Sequence, residues 1–314
     1  MIYIGLWQAG SRLWSSTNLD NVSKAIQKAI ELGLTYFDTA EIYGWGRSER
    51  LLGNIVKELK DVFIVSKVGG FRWTENDIAK AASRIRGRLG RDSIDLLLSH
   101  WPPPFYADIC RIIHGLEKAI DQGYASNIGL SNYPSNLLEK AVQCTRKYKI
   151  KTNQIQYSLA YRTPELNIIQ ETKKLNIKIM AWSPLAKGAL ATSRVTREPA
   201  RMSDPVFRRA LKDKNLHNAL EDISRQLGLT KAQVAVSWIN IKGIDPVVGI
   251  RKPEHVEDLA KIKDYTLPEW AVRKLDQVSM QYINAWGTRY KVLGKMRYIP
   301  GLLQHLSIRV LGGV

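Results

Sequence analysis

Ile94-Asp95-Leu96-Leu97-Leu98-Ser99-His100 is a short apolar run that ends polar, and in residues 108–122 behind it apolar side chains return every three to four positions. The first pattern suits a buried strand and the second an amphipathic helix. The alternation continues in both directions. A helical segment at 77–89 precedes the run, and a strand-like run at 126–130 followed by helical spacing at 135–148 comes after it. Eight strand-like runs are present in all, at 2–7, 35–39, 62–67, 94–99, 126–130, 152–156, 177–181 and 246–250, with further helical spacing at 19–32 and 166–175. Strands that alternate with helices pair in parallel, because each connection must cross back over the sheet. Eight such units predict an α/β fold, a (β/α)8 TIM barrel of eight parallel strands whose working residues lie at the carboxyl face. A doubly wound sheet would show a clearer break between two halves. No linker rich in Pro, Gly or Ser divides the chain, so residues 1–314 are expected to form one barrel domain with a basic tail from about Val278. The long seventh connection, 184–243, predicts a covering loop around Lys187-Gly188 and then helices at 206–216, 220–226 and 231–241.

The composition, 45% hydrophobic and 24% charged, is that of a folded globular chain. No stretch reaches the roughly 20 apolar residues that span a bilayer, and Met1 runs into Ile2-Tyr3-Ile4 without a basic leader. Two cysteines, Cys110 and Cys144, are too few for a disulfide framework. These features lead us to expect a cytoplasmic protein with no membrane partner. The net charge is +18, and residues 151–314 hold 27 basic against 14 acidic residues. No acid occurs from Val278 onward. Such charge attracts nucleic acid, a membrane surface or an anionic cofactor, but no nucleic-acid motif accompanies it, and a basic solvated surface is the expected reading.

In a barrel the chemistry sits just past the strand ends. Asp38-Thr39-Ala40-Glu41-Ile42-Tyr43-Gly44 follows the second run, Lys67 ends the third and His100 follows the fourth. An acid, a phenol, an amine and an imidazole therefore meet at one mouth. Together they suit carbonyl reduction: hydride arriving at carbon leaves an alkoxide that needs a proton. Tyr43 is expected to donate it, Lys67 to lower the phenol's pKa, Asp38 to hold Lys67 charged, and His100 to orient the substrate oxygen.

Phe37-Asp38-Thr39-Ala40-Glu41-Ile42-Tyr43-Gly44, with Ser48-Glu49 and Leu52-Gly53, resembles the signature of the aldo-keto reductases. The resemblance extends through Ile64-Val65-Ser66-Lys67, residues 94–102, Asn127-Ile128-Gly129-Leu130-Ser131-Asn132, Asn153-Gln154 and Trp182-Ser183-Pro184-Leu185. It implies reversible reduction of an aldehyde or ketone by NADPH, with NADH less favoured. It further implies that Ser131, Asn132 and Gln154 hold the nicotinamide carboxamide, that Trp182 stacks on the ring, and that Ser183 and Leu185 line the pyrophosphate. Gly249-Ile250-Arg251-Lys252-Pro253-Glu254-His255 resembles the adenosine-phosphate loop, with Arg251 reading the phosphate and Lys252 assisting; Lys187 and Asp258 complete the expected cofactor set. His255 stands where Gln is usual and Leu259 where Asn is common. Trp7 and Trp101 are expected in the substrate pocket wall, and the aromatic residues Tyr282, Trp286, Tyr290 and Tyr298 of the tail suit a lid.

Gly44-Trp45-Gly46 lacks the third glycine of a dinucleotide fingerprint, since Glu49 takes its place. Cys110 and His114, four apart on a helix, are two ligands without others, and no metal site is expected. The competing function is a non-catalytic subunit that senses the cofactor, like the channel β-subunits that share this fold and tetrad.

Overall fold

The computed structural model describes residues 1–10, 12–14, 17–192, 197–286 and 297–310. Eight parallel strands close into a barrel in chain order: β1 (Tyr3–Gly5), β2 (Tyr36–Asp38), β3 (Phe63–Val68), β4 (Leu96–Ser99), β5 (Ile128–Ser131), β6 (Ile150–Gln156), β7 (Lys178–Trp182) and β8 (Asp245–Gly249). The ring is completed where β1 pairs with β8, Ile4 opposite Val248. Around it run α1 (Trp7–Gly10), α2 (Leu19–Glu31), α3 (Arg47–Val56), α4 (Glu75–Leu89), α5 (Ile109–Asp121), α6 (Ser135–Gln143), α7 (Ile168–Lys174), α8 (Pro199–Met202), α9 (Pro205–Lys212), α10 (Lys214–Leu227), α11 (Lys231–Ile241), α12 (Pro253–Ala260), α13 (Glu269–Ser279) and α14 (Gly301–Val310). Among the described residues no helix is long and apolar enough to cross a membrane.

The helices start where side chains satisfy their free amides. Asn18, Thr74, Asp108 and Asp213 accept from first-turn N–H groups of α2, α4, α5 and α10, and Thr230 with Gln233 forms a reciprocal capping box on α11. Each strand sends alternate residues inward. Tyr3, Val65, Leu96, Leu98, Met180 and Val247 fill the barrel, while the opposite faces pack under the helices.

All eight strands fall where the alternation places them, and the helices of the first half follow their spacing. The departures have local causes. The first run ends at Gly5, and Trp7 opens the short helix α1. The helix expected at 135–148 stops at Gln143, because the buried Glu117 carboxylate accepts the amides of Arg146, Lys147 and Tyr148 at 2.8, 2.8 and 3.1 Å and fixes a loop there. The helix expected at 206–216 is cut at Asp213, which caps α10 through Leu216 N at 3.0 Å and accepts the Tyr282 hydroxyl at 2.7 Å. Cys110 of α5 and Cys144 at the end of α6 are joined in a disulfide. The Cys110 sulfur is thereby removed from any metal site with His114. Disulfides are rare in reducing compartments, so this crosslink and the cytoplasmic expectation oppose one another.

Helix α3 is fastened to the barrel by a buried carboxylate. Glu49 accepts from Ser66 Oγ of β3 at 2.6 Å and from Arg88 Nε of α4 at 2.5 Å. Glu49→Ala leaves both donors without their acceptor and should cost about 3 kcal/mol of stability; a urea midpoint equal to wild type would show that the network holds nothing.

Candidate active site

The loop after β2 is held on both flanks before Tyr43 is reached. Thr39 Oγ1 donates to Ser48 Oγ at 2.8 Å, and Ser48 Oγ to Leu6 O at 3.0 Å. Glu41 accepts Gly69 N at 2.6 Å and takes both Nε and Nη2 of Arg72 at 2.8 Å. At Gly44 the loop touches the end of α1 backbone to backbone: a Cβ on Gly10 would stand 2.3 Å from Tyr43 O, and Gly44, with φ +59°, would meet Gly10 O at the same distance. Only glycine permits this approach, and it sets Tyr43 at the mouth.

Behind Tyr43 lies a fully buried ion pair. Lys67 Nζ is 2.6 Å from Asp38 Oδ1 and 2.8 Å from Thr39 O, and Asp38 Oδ2 accepts Gln154 Nε2 at 2.7 Å. The ammonium stands over the Tyr43 ring, 5.1 Å from its centroid, and the His100 ring meets Tyr43 edge-on at 5.7 Å. Asp38, Tyr43, Lys67 and His100 are thus gathered in one cluster. The phenol departs from the sequence expectation. Burial, aided by Asp38, holds it well above the ordinary phenol range, so desolvation outweighs the neighbouring ammonium. Burial likewise pulls Lys67 down against the support of Asp38. His100 is held well below the usual imidazole range, first by burial and then by Lys67.

Tyr43 and His100 open into a cavity of about 900 Å³, in the size range of sites that enclose a sizeable ligand. Asn132, at φ +62°, donates to His100 O and Ser131 Oγ, both at 2.9 Å, and accepts Trp182 Nε1 at 2.9 Å. Ser131 Oγ itself donates to Gln154 O at 2.9 Å. Trp7, Trp101, Ser131, Asn132, Gln154, Trp182, Ser183, Leu185, Lys187, Gly249, Arg251, His255 and Asp258 all line the cavity; Lys252 does not, and its ammonium lies 3.8 Å from Glu254. Arg251 Nη2 pairs with Glu198 Oε1 at 2.6 Å, and the half-buried His255 ring accepts Arg251 N at 3.2 Å. The residues fit a nicotinamide dinucleotide. His100 Nδ1 and Gln8 Oε1 are buried without a hydrogen-bond partner, both residues line the cavity, and a Cβ on Gly249 would strike Gln8.

Lys187 and Gly188 of the expected covering loop line the cavity, but sequence reasoning missed the contacts that hold it. Ala200 N donates to Leu13 O at 3.2 Å, Lys187 pairs with Asp204 at 2.8 Å, and the Trp14 ring meets the guanidinium groups of Arg201 and Arg251, 5.3 and 5.0 Å away. The strand-end rule applied to the first run could have found Gln8 and Trp14, but nothing periodic marks Glu198 or Arg201. The tail was read in part. Helix α14 reaches the mouth, with Ser307 and Ile308 on the cavity wall and Gln304 accepting Trp101 Nε1 at 3.0 Å. Tyr282 is instead a core residue, Trp286 stacks on Tyr161, Tyr298 is exposed, and Tyr290 lies outside the described residues.

The profile of the aldo/keto reductase family matches residues 1–280. A chloroplastic pyridoxal reductase of Arabidopsis thaliana is 30% identical over 304 residues, 88% of this chain and 81% of that one. An aldo-keto reductase of Schizosaccharomyces pombe, yakc, whose name carries NADP(+), is 26% identical over 77% of this chain and 78% of its own. The crystal structure of the thermostable aldo-keto reductase Tm1743, solved with the inhibitor epalrestat, superposes with a TM-score of 0.74 at 27% identity, covering 88% of this chain and 94% of that one. The chain belongs to the aldo/keto reductase family and is an oxidoreductase that works with a nicotinamide cofactor on carbonyl or alcohol groups.

The depressed His100 value sets a pH dependence. Between that value and about 6.5 the unfolded chain binds a proton that the native ring refuses, so the stability tied to His100 is complete above about pH 6.5 and falls as pH drops below it. The urea midpoint of wild type should therefore decline more steeply from pH 7.5 to 5.5 than that of His100→Asn; parallel declines would mean that the ring titrates normally in the fold.

Proposed function

We propose that the protein reduces apolar aldehydes and ketones with NADPH, Tyr43 donating the proton. The observation that carries this is the edge-on meeting of the Tyr43 and His100 rings on the cavity wall, with Asn132 and Trp182 lining the same cavity. The cofactor supplies hydride to the carbonyl carbon. Ser131, Asn132 and Gln154 would hold its carboxamide, Trp182 would pack on the ring, Ser183 and Leu185 would line the pyrophosphate, and Lys187, Gly249, His255 and Asp258 would line the rest. The substrate oxygen sits between Tyr43 and His100. An alkoxide is far more basic than a phenol even when burial raises the phenol, so Tyr43, protonated at neutral pH, gives up its proton downhill. Lys67 holds a positive charge behind the ring as the phenolate forms, and Asp38 keeps that charge in place. Trp7, Ile42, Trp101 and Ile308 wall the substrate end, which favours a carbonyl carried on an apolar group over one bearing a carboxylate.

Tyr43→Phe tests the assignment. Turnover of a reactive aldehyde should fall by roughly 10²–10⁴, with NADPH affinity nearly unchanged. Retained turnover would remove Tyr43 from the reaction, and a wild-type protein that binds NADPH but reduces nothing in a broad panel of aldehydes, ketones and sugars would be a cofactor sensor.

Preference for NADPH is assigned to Arg251, held at the cavity wall by Glu198. A guanidinium can grip two phosphate oxygens at once, and the phosphate is what distinguishes the two cofactors. Arg251→Ala should weaken NADPH by about 1.5–3 kcal/mol, tenfold or more, and leave NADH nearly unaffected. Dissociation constants from tryptophan quenching give the answer: equal losses for both cofactors would trace the effect to a disturbed cavity wall and not to phosphate reading.

A further inference from the structure

The Gln154 amide joins two parts of the site that have so far stood apart, the seat of the cofactor and the buried charge behind Tyr43. Gln154 is 2% exposed and still lines the cavity. Its backbone is clamped, because Ser131 Oγ and Asn132 N both donate to Gln154 O at 2.9 Å. Its side chain has a fixed sense. An amide carries N–H donors at one end and only an acceptor at the other. Nε2 donates to Asp38 Oδ2 at 2.7 Å and lies 4.0 Å from Met180 Sδ, and a carboxylate and a thioether can only accept. The other carboxylate oxygen, Oδ1, is 2.6 Å from Lys67 Nζ, so Asp38 is itself held and cannot turn to suit a reversed amide. The end that Gln154 keeps for a ligand is therefore Oε1, to which no described residue donates.

We infer that Asp38 sets the direction of the Gln154 amide, and that Gln154 thereby couples recognition of the nicotinamide carboxamide to the pair that supports Tyr43. With Oε1 toward the cavity, the site accepts the carboxamide's amine. An N–H donated into Oε1 polarises the amide and strengthens the bond from Nε2 to Asp38. Asp38 in turn holds Lys67, whose ammonium stands 5.1 Å from the centroid of the Tyr43 ring. Asp38 is thus a positioning residue for the cofactor, acting through Gln154, and Gln154 is a positioning residue for the proton donor, acting through Asp38. Asparagine at position 38 would reverse the chain. With its oxygen kept on Lys67, its amide nitrogen would meet Gln154, which would turn its own oxygen inward to accept. Nε2 would then be the end toward the cavity, where it opposes an amine and suits a carbonyl. The coupling rests on the proposed cofactor contacts and does not depend on turnover, so binding alone tests it.

Dissociation constants are measured on the full-length protein, by tryptophan quenching, for three probes. They are NADPH, its 3-acetylpyridine counterpart, in which a methyl group replaces the carboxamide amine, and 2′-phospho-ADP-ribose, which carries no nicotinamide. Wild type should bind NADPH on the order of tenfold more tightly than the acetylpyridine form, the worth of one amide hydrogen bond. In Asp38→Asn that preference should vanish or reverse, while 2′-phospho-ADP-ribose stays within about twofold of wild type. Any direct contact of residue 38 with the ribose is common to both dinucleotides and cancels in their ratio. Asp38→Asn leaves the Lys67 ammonium buried without its partner; should that variant misfold, Asp38→Asn combined with Lys67→Met leaves neither charge of the pair stranded and should lose the preference in the same way. A preference that survives in either variant would overturn the coupling, as would a wild-type protein indifferent to the two dinucleotides. All three probes weakening together would make Asp38 a support of the fold and nothing more. Failure of wild type to bind any of them would sink the cofactor reading and the coupling with it, whereas a preference lost as expected, in a protein that reduces no carbonyl, would uphold the coupling and remove only the reductase reading.

Discussion

Everything at the mouth depends on a lysine that has been taken out of water. Burying an ammonium costs several kcal/mol unless its hydrogens find acceptors, and Lys67, with none of its surface exposed, has Asp38 and Thr39 O. The carboxylate is in turn committed through its second oxygen to Gln154, which comes from β6. One buried charge pair therefore ties β2, β3 and β6 together across the top of the barrel. Tyr43 stands over the ammonium and His100 against Tyr43, so two side chains that meet the cavity inherit their positions from a pair that barely touches solvent. The same arrangement explains why His100 stays neutral: a fixed positive charge nearby and a dry wall both oppose a second cation.

The barrel and the cluster were legible in the sequence because each rests on a short-range signal. Alternation of strand and helix spacing located eight strands, and the strand-end rule placed Asp38, Tyr43, Lys67 and His100 together without reference to contacts. What escaped came from groups distant in sequence. Asp213 and Glu117 end helices by accepting groups that no periodic pattern announces. Glu198 and Arg201 lie in a connection without a repeating signal; Arg201 lines the cavity and Glu198 pairs with the cavity residue Arg251, where that connection meets Leu13.

The phenol makes the distinction sharper. That an ammonium stands near it could be read from residue types alone, and the direction of that influence follows from Coulomb's law. That burial outweighs it could not be read, because the dryness of the wall is assembled from loops far apart in the chain. Charge neighbours belong to strand order, whereas solvation belongs to the finished surface, and only the former is written locally.

The pairing of β1 with β8 has a consequence for how the chain reaches this state. The strand made first and the strand made last among the eight complete the ring together, so during synthesis the sheet grows as an open ribbon with an unpaired edge on either side until Gly249 has emerged. Contacts between such remote residues close slowly, and open edges invite pairing with other chains. Open edges therefore persist until β8 is made, and the seventh connection, the longest between successive strands, prolongs that interval.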